Sequence, residues 1–207
     1  MAVLRGGLLG NSSGKVAGIV TGQWKDKNYA RAYVVPSNPN TAAQQAKRTR
    51  FKLTALFGMS IVGNILQPYM DTFLRSMSGF NWFIKTNIAL FVGTPTYSNV
   101  IVTKGSLFAA AVGSLTSGAG VIHAAFSAAL GSNGLASDKV YACLYHHTTG
   151  RMFFASAEVL RSAATIDIPF TTGLTGVFTV YIITARRNTV SLVVTAVSQS
   201  SAADITI

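Results

Sequence analysis

The stretch SNPNTAAQQAKRTRFKLTALF, residues 37–57, decides the fold of the first half of this chain. Pro39 favours an extended backbone just before a helix. Thr41 is a good N-cap residue, and Gln44 three positions later completes a capping box. The pattern therefore predicts a helix from residue 42 to about residue 57, with a continuation that Pro68 interrupts.

The predicted helix carries a concentration of positive charge. Basic side chains cover much of its surface, and an apolar stripe at helical spacing runs along it. We predict that the cations bind nucleic acid or an acidic partner surface. The cations are Lys47, Arg48, Arg50 and Lys52, and the stripe is Phe51, Ala55 and Leu56.

Two strands are predicted before this helix, at residues 15–24 and 29–35, with a turn between them. Because side chains alternate along a strand, Tyr29, Arg31 and Tyr33 share one face. An arginine between two tyrosines either stacks on bases and phosphates or makes ordinary cross-strand contacts. Further contacts to the anionic partner are predicted at Lys25, Lys27 and Arg31, and assembly contacts at Trp24, Tyr29, Tyr33 and Trp82.

The charge of the chain is placed unevenly. The net charge is +11, and residues 1–60 hold nine basic residues against a single acidic one, Asp26. A basic front on a nearly neutral body suggests contact with nucleic acid, lipid headgroups or an acidic protein surface. The alternative is a basic surface that faces only solvent.

The composition favours burial against other subunits. Hydrophobic residues make up 49% of the 207 residues and charged residues only 11%, whereas soluble domains usually carry about 25% charged residues. The apolar residues are spread along the chain instead of being collected into membrane spans. The best membrane candidate is Leu53–Met70, which polar residues, glycines and Pro68 interrupt, and no signal peptide is expected.

The second half of the chain has the pattern of a β-sandwich. Two more helices are predicted at about residues 69–77 and from Ser78 onward. Seven short strand-like runs with turn signals then suggest an immunoglobulin-like or fibronectin-like fold. They lie at about residues 98–103, 120–127, 138–146, 151–159, 163–169, 177–185 and 189–197. Both faces of several runs are apolar, which suggests that one face meets a neighbour.

The predicted fold class is therefore α+β, with an N-terminal β-hairpin and basic helical region followed by an antiparallel sandwich. We predict a flexible arm at residues 1–14, a hairpin plus helical domain at residues 15–94 and an immunoglobulin-like domain at residues 95–207. Residues 105–137 carry no formal charge and are rich in Ala, Gly and Ser. For the Ala-rich parts of that region, strand and helix both remain open.

Catalytic chemistry has little support in the sequence. The six carboxylates are scattered, so paired acid/base groups are not indicated. His146 and His147 are adjacent on a predicted strand and point to opposite faces, which disfavours a shared metal. Cys143 lies in an apolar run and is predicted to be a small buried hydrophobe. We predict no enzyme activity, no cofactor and no metal.

The chain resembles a family of short basic proteins from Bacteroidetes and their phages, catalogued as a domain of unknown function. The matching residues are Gly14-Lys15-Val16, Trp24-Lys25, Lys27-Asn28, Arg31, Asn38-Pro39-Asn40-Thr41, Gln44 or Gln45, Arg48, Phe51, Thr103-Lys104-Gly105-Ser106-Leu107 and Asp138-Lys139-Val140-Tyr141. The apolar region after Leu107 departs from the family. The resemblance implies a basic hairpin and helix before a β-sandwich, in a phage or mobile-element setting. It implies no catalytic residues.

These observations predict a structural subunit of a large assembly, in particular a capsid-associated or tail protein of a phage virion. Its partners would be other copies of itself, other assembly proteins and nucleic acid, and it would be made in the host cytoplasm. A filament or cell-surface subunit is a close variant. The other hypotheses are a free, non-specific nucleic-acid-binding protein and a membrane-associated protein anchored through Leu53–Met70.

Overall fold

The structure is a computed structural model that describes residues 2–4, 13–24, 27–35, 37–74, 76–188, 191 and 193–207. The chain forms two compact units, Met1–Ala42 and Ala43–Ile207. The architecture is mixed α+β with antiparallel sheets, as the sequence predicts.

The first unit is a four-stranded antiparallel sheet. Its strands are β1 (Ala2–Leu4), β2 (Gly14–Val16), β3 (Ile19–Trp24) and β4 (Lys27–Ala32), in the order β1-β4-β3-β2. β3 and β4 form the predicted hairpin, but the prediction of one strand over residues 15–24 is wrong. A turn at Ala17 and Gly18, where Ala17 has a φ of 50°, divides this range into β2 and β3. Of the predicted arm at residues 1–14, residues 1 and 5–12 lie outside the described residues, while β1 pairs with β4 and Gly14 begins β2.

The second unit begins with the helices. They are α1 (Ala42–Ile61), a π-helical continuation (Val62–Asp71), α2 (Gly79–Asn87) and short 3₁₀ turns at Ile88–Leu90 and Tyr97–Asn99. The start of α1 directly after Thr41 agrees with the prediction. The start of α2 agrees too, because the Ser78 hydroxyl accepts a hydrogen bond from the Asn81 backbone N–H.

The predicted interruption at Pro68 is wrong, and so is the separate helix over residues 69–77. The first helix runs through Pro68 to Asp71 in π-helical form. Proline lacks an N–H group and its ring clashes with the preceding turn of an α-helix. The wider π-helical turn shifts the hydrogen-bond pattern and accommodates this residue inside the helix.

The rest of the second unit consists of two antiparallel sheets. The strands are β5 (Val112–Gly118), β6 (Val121–Phe126), β7 (Lys139–His146), β8 (Arg151–Phe154), β9 (Val159–Leu160), β10 (Thr165–Pro169), β11 (Val177–Arg187), β12 (Val194–Val197) and β13 (Ser201–Thr206). One sheet has the order β10-β6-β5. The other has the order β12-β11-β7-β8, with β13 also paired to β11 and β9 to β7.

The larger sheet is buried on both faces, which gives the second unit three layers. Val140, Ala142 and Leu144 of β7 pack in one hydrophobic cluster with β6, β10 and β11. Cys143 and Tyr145 of the same strand pack in a second cluster with the helices. The apolar second face therefore meets the helices of the same chain, which corrects the expectation that it meets a neighbouring subunit.

Residues 98–103 were expected to form a strand, and this is wrong. The backbone of this segment forms hydrogen bonds with side chains instead of with a neighbouring strand. Asn87 donates to the Ile101 carbonyl and accepts from the Ile101 N–H, and the Ser200 hydroxyl accepts from the Val102 N–H. Two strands were not expected. β5 lies in the uncharged Ala/Gly/Ser region, and β13 has a weak apolar pattern, so their sequences gave little strand signal.

A hydrogen bond from Tyr69 of the helical layer reaches an ion pair between Glu158 and Arg187 at the larger sheet. The Glu158 carboxylate accepts hydrogen bonds from the Tyr69 hydroxyl and from the Arg187 guanidinium, where Nε lies 2.8 Å from Oε2. Burial alone would raise the pKa of Glu158. The hydrogen bonds from Arg187 and Tyr69 outweigh it and hold the pKa below its ordinary value.

This depressed pKa predicts a contribution to stability that acid removes. It is fully present above the unfolded-state carboxyl pKa of about 4.3 and is lost as the pH falls through the lower folded-state value. Between pH 7 and pH 3, we expect the wild type to lose more of its free energy of unfolding than Glu158→Gln does in urea unfolding. Asp167→Asn is the control, because Asp167 pairs with His123 in an exposed position. Equal losses in wild type and Glu158→Gln would contradict the prediction.

Candidate basic interface

The N-terminal sheet has one basic face and one uncharged face. Residues paired directly across strands share a face. Lys15, Val20 and Arg31 form one such row, while Val16, Ile19 and Ala32 form the next, on the opposite face. Alternation along β4 then adds Lys27 and Tyr29 to the side of Arg31. The cationic side chains Lys15, Lys27 and Arg31 are exposed on this basic face.

The tyrosines of the basic face are held by specific contacts. The Lys15 ammonium lies 3.5 Å from the centre of the Tyr33 ring, a cation–π contact. Tyr29 lies across Gly22 of the neighbouring strand, since a Cβ atom at Gly22 would come within 2.8 Å of the tyrosine oxygen. Gly22 thus allows the ring to lie close to the sheet. The predicted common face of Tyr29, Arg31 and Tyr33 agrees with this register.

Helix α1 begins the second unit with its first turns exposed. Its buried positions are Thr54, Phe57, Gly58 and Ile61. The predicted apolar stripe is therefore wrong: Phe51 is 52% and Leu56 54% exposed, and Ala55 is half-buried. The reason is the position of Phe57, which contacts five other aromatic rings and fixes the rotation of the helix. Those rings are Phe83, Phe91, Tyr97, Tyr145 and Tyr181.

The four cations of α1 divide into two pairs. Lys47 and Arg50 line a groove of about 470 Å³ with Phe51, Ile88 and Ala89. Arg48 and Lys52 are four residues apart, so they lie together on another side of the helix. Lys47, Arg48 and Lys52 are exposed and Arg50 is half-buried. Within the described part of the chain, Lys47, Arg50 and Lys52 form no salt bridge.

The acidic groups of the chain are already engaged. Ion pairs join Asp138 to Arg186, Glu158 to Arg187 and Asp167 to His123. The remaining two described carboxylates accept hydrogen bonds: Asp204 from the Thr179 hydroxyl and Asp71 from the Gly79 N–H. Asp26 lies outside the described residues. The basic surfaces therefore find little acidic complement in the chain itself.

The family of unknown function DUF6266 matches this chain over residues 11–199. The chain belongs to this family. The match includes β2–β4, α1 and the second unit as far as β12, so the basic surfaces and all of the layered body except β13 lie within the DUF6266 region. No curated protein and no solved structure matches the chain.

Three other residues of this DUF6266 protein were predicted to contact partners. Lys25 lies outside the described residues. Trp24 is in β3, with its backbone paired to Lys27. Trp82 of α2 is half-buried and packs against the hydrophobic cluster of the helical layer. Their roles in assembly stay predictions.

The histidines and the cysteine of the DUF6266 protein have structural surroundings. His146 stacks on Phe178, at 4.4 Å between ring centres, while His147 lies on the opposite face beside Tyr97. Cys143 is fully buried, as predicted, and burial raises the pKa of its thiol. The described residues contain no group of three His, Cys, Asp or Glu side chains placed to hold a metal.

The membrane hypothesis rested on Leu53–Met70, which the structure places in α1 and its π-helical continuation. Among the helices that the structure describes, none has the length and apolar character needed to cross a membrane.

Proposed function

We propose that this DUF6266 protein is a non-enzymatic structural subunit of a large assembly. The observation that carries the proposal is the uncharged face of the N-terminal sheet. Val16 is 63% and Ile19 46% exposed there, and both hydrophobic clusters of the described residues lie wholly within the second unit, at residues 57–202 and 110–207. A small sheet without a core of its own needs a partner to cover its apolar side chains.

We also propose that the body is an immunoglobulin- or fibronectin-like sandwich. Its strand order supports this. If β5, β6, β7, β8, β10, β11 and β13 are strands A, B, C, C′, E, F and G, the two sheets become ABE and C′CFG. This is the Greek-key arrangement of such sandwiches.

The proposed setting is a phage virion, as a capsid-associated or tail protein that is made in the host cytoplasm. The resemblance to proteins of Bacteroidetes phages supports this setting. The basic residues of α1 would face the genome or an acidic partner, and the other partners would be copies of the chain and other assembly proteins. A filament or cell-surface subunit would use the same contacts, and imaging the purified assembly distinguishes these forms.

The test is the native molar mass, measured by light scattering after nuclease treatment at high salt. We expect a uniform species much larger than the 21.8 kDa chain. A wild type that stays at the chain mass over the whole accessible concentration range would contradict the proposal.

A double variant, Val16→Thr/Ile19→Thr, tests the uncharged face. Threonine keeps the β-branched shape that strands favour while it removes apolar surface. If the subunit contact partly buries Val16 and Ile19, replacing both costs about 1.5–3 kcal/mol of association free energy. The midpoint concentration of assembly should therefore rise roughly 10- to 100-fold. The matched control is Leu135→Thr in the second unit, at a residue that is 49% exposed. An equal shift in the control would show that the face has no special role.

A further inference from the structure

The basic face of the N-terminal sheet combines cationic and aromatic side chains. It alternates cations with tyrosines along β4, and Lys15 of β2 reaches over the ring of Tyr33. Side chains on one face of a strand are about 7 Å apart. The face thus places exposed cations beside the exposed ring of Tyr33 and the half-buried ring of Tyr29, and Gly22 leaves room for the ring of Tyr29.

A second copy of the chain is a poor partner for this face. Every carboxylate among the described residues already bonds to a group of its own chain, and Asp138 is fully buried. Meeting the basic face with another copy would place cations beside a chain of net charge +11. The engaged state of the described carboxylates and the net charge of the chain therefore favour an anion from a different kind of molecule.

We propose that this basic face binds single-stranded nucleic acid. Lys15, Lys27 and Arg31 would contact phosphates, and Tyr29 and Tyr33 would stack on bases. Sheets that carry aromatic side chains between cations recognise unpaired strands in this way, because an unpaired base exposes the faces that a duplex hides. The face presents few side chains able to read base edges, so binding tolerates different sequences.

This proposal is independent of the assembly proposed above and of the cations in α1. The uncharged face of the same sheet carries the proposed subunit contact. Variants on the two faces therefore have separate readouts: native mass for Val16 and Ile19, and nucleic-acid affinity for Lys15, Tyr29 and Arg31.

The experiment measures fluorescence anisotropy of a labelled 20-nucleotide oligo-dT and of a duplex of the same length, over a salt series. We expect the full chain to prefer the single strand. Tyr29→Leu/Tyr33→Leu should weaken oligo-dT binding at least roughly tenfold, since stacking contributes strongly for each base. The salt dependence and the duplex affinity should change little. Tyr29→Phe/Tyr33→Phe keeps the rings and should bind as the wild type does.

Charge is tested separately with Lys15→Gln/Arg31→Gln. The slope of log affinity against log salt should fall by about 1.4, because each phosphate contact to a single strand contributes about 0.7. Lys85→Gln/Lys104→Gln is the charge-matched control, since both lysines are exposed in the second unit. Circular dichroism shows whether each variant is folded. If the Leu double variant is unfolded, Tyr33→Leu alone tests the stacking, because Tyr33 is 45% exposed and it is Tyr29 that contacts Gly22.

Three results would overturn the proposal. The first is equal loss of affinity in the charge-matched control, which would indicate diffuse electrostatics. The second is an unchanged affinity for oligo-dT in a folded Leu variant, or a reduced affinity for oligo-dT in a folded Phe variant. The third is displacement of oligo-dT by polyglutamate at the same charge concentration as by unlabelled oligo-dT, which would indicate an acidic protein partner instead.

Discussion

Arg161→Leu is expected to destabilise the protein by about 3–5 kcal/mol, because it leaves buried backbone carbonyls without their hydrogen-bond donor, at about 1–3 kcal/mol for each group. The Arg161 side chain is fully buried. Its guanidinium donates hydrogen bonds to the backbone carbonyls of Phe108, at 2.8 Å, and of Ala129. It also lies over the Phe108 ring. Leucine cannot donate a hydrogen bond, so these buried carbonyls would have no donor, and this lowers the free energy of unfolding.

The loss of stability should involve more than one residue, because Arg161 connects two parts of the uncharged segment 105–137, at Phe108 and at Ala129. Urea unfolding followed by circular dichroism measures the change. Arg161→Lys should fall between wild type and Arg161→Leu, since lysine keeps the charge but lacks the planar fork that reaches two carbonyls. Arg151→Leu is the control at an exposed arginine and should change stability by less than about 0.5 kcal/mol. A loss in Arg161→Leu as small as in this control would contradict the role assigned to Arg161.

Local signals in the sequence predicted the starts of elements well. Thr41 and Ser78 mark the two helix starts, and alternation in residues 139–146 and 177–187 marks the two central strands. These signals depend on neighbours within a few residues. Nothing near Arg161 in the sequence indicates that it is buried, because its partners lie 32 and 53 residues away.

The rotation of α1 shows a similar limit. Its sequence holds two apolar stripes, one through Phe51 and Leu56 and another through Phe57 and Ile61. Periodicity alone does not choose between them. The aromatic rings of distant segments contact Phe57, and that packing decides which stripe is buried.

The candidate interface was also only partly predictable. Alternation placed Tyr29, Arg31 and Tyr33 on one face, and the structure agrees. The contribution of Lys15 depends on the pairing of β2 with β3 and of β3 with β4, which no local pattern specifies. The same pairing separates the uncharged face from the basic one and so allows the two functions to be tested independently.

The Thr103–Leu107 segment, one of the stretches that carry the resemblance to the family, has a physical role in the structure. It runs beside the end of β12. The Thr103 hydroxyl donates to the Ser198 carbonyl at 3.0 Å, and the Leu107 N–H donates to the Val197 carbonyl at 3.1 Å. Between them, Gly105 lies so close to β12 that a Cβ atom there would come within 2.0 Å of the Val197 carbonyl oxygen.

Gly105→Ala is therefore expected to cost about 3–5 kcal/mol, because overpacking against backbone costs about 1–3 kcal/mol and displacing the segment weakens two hydrogen bonds worth about 1 kcal/mol each. The clash involves a carbonyl of a paired strand, which cannot rotate away as a side chain would. Urea unfolding measures the loss. Gly63→Ala is the matched control, since a Cβ atom there meets nothing within 4 Å and alanine favours helix. We expect that control to match or exceed the wild type in stability. If Gly105→Ala were as stable as the wild type, the position would accept a side chain and the segment would not be fixed against β12.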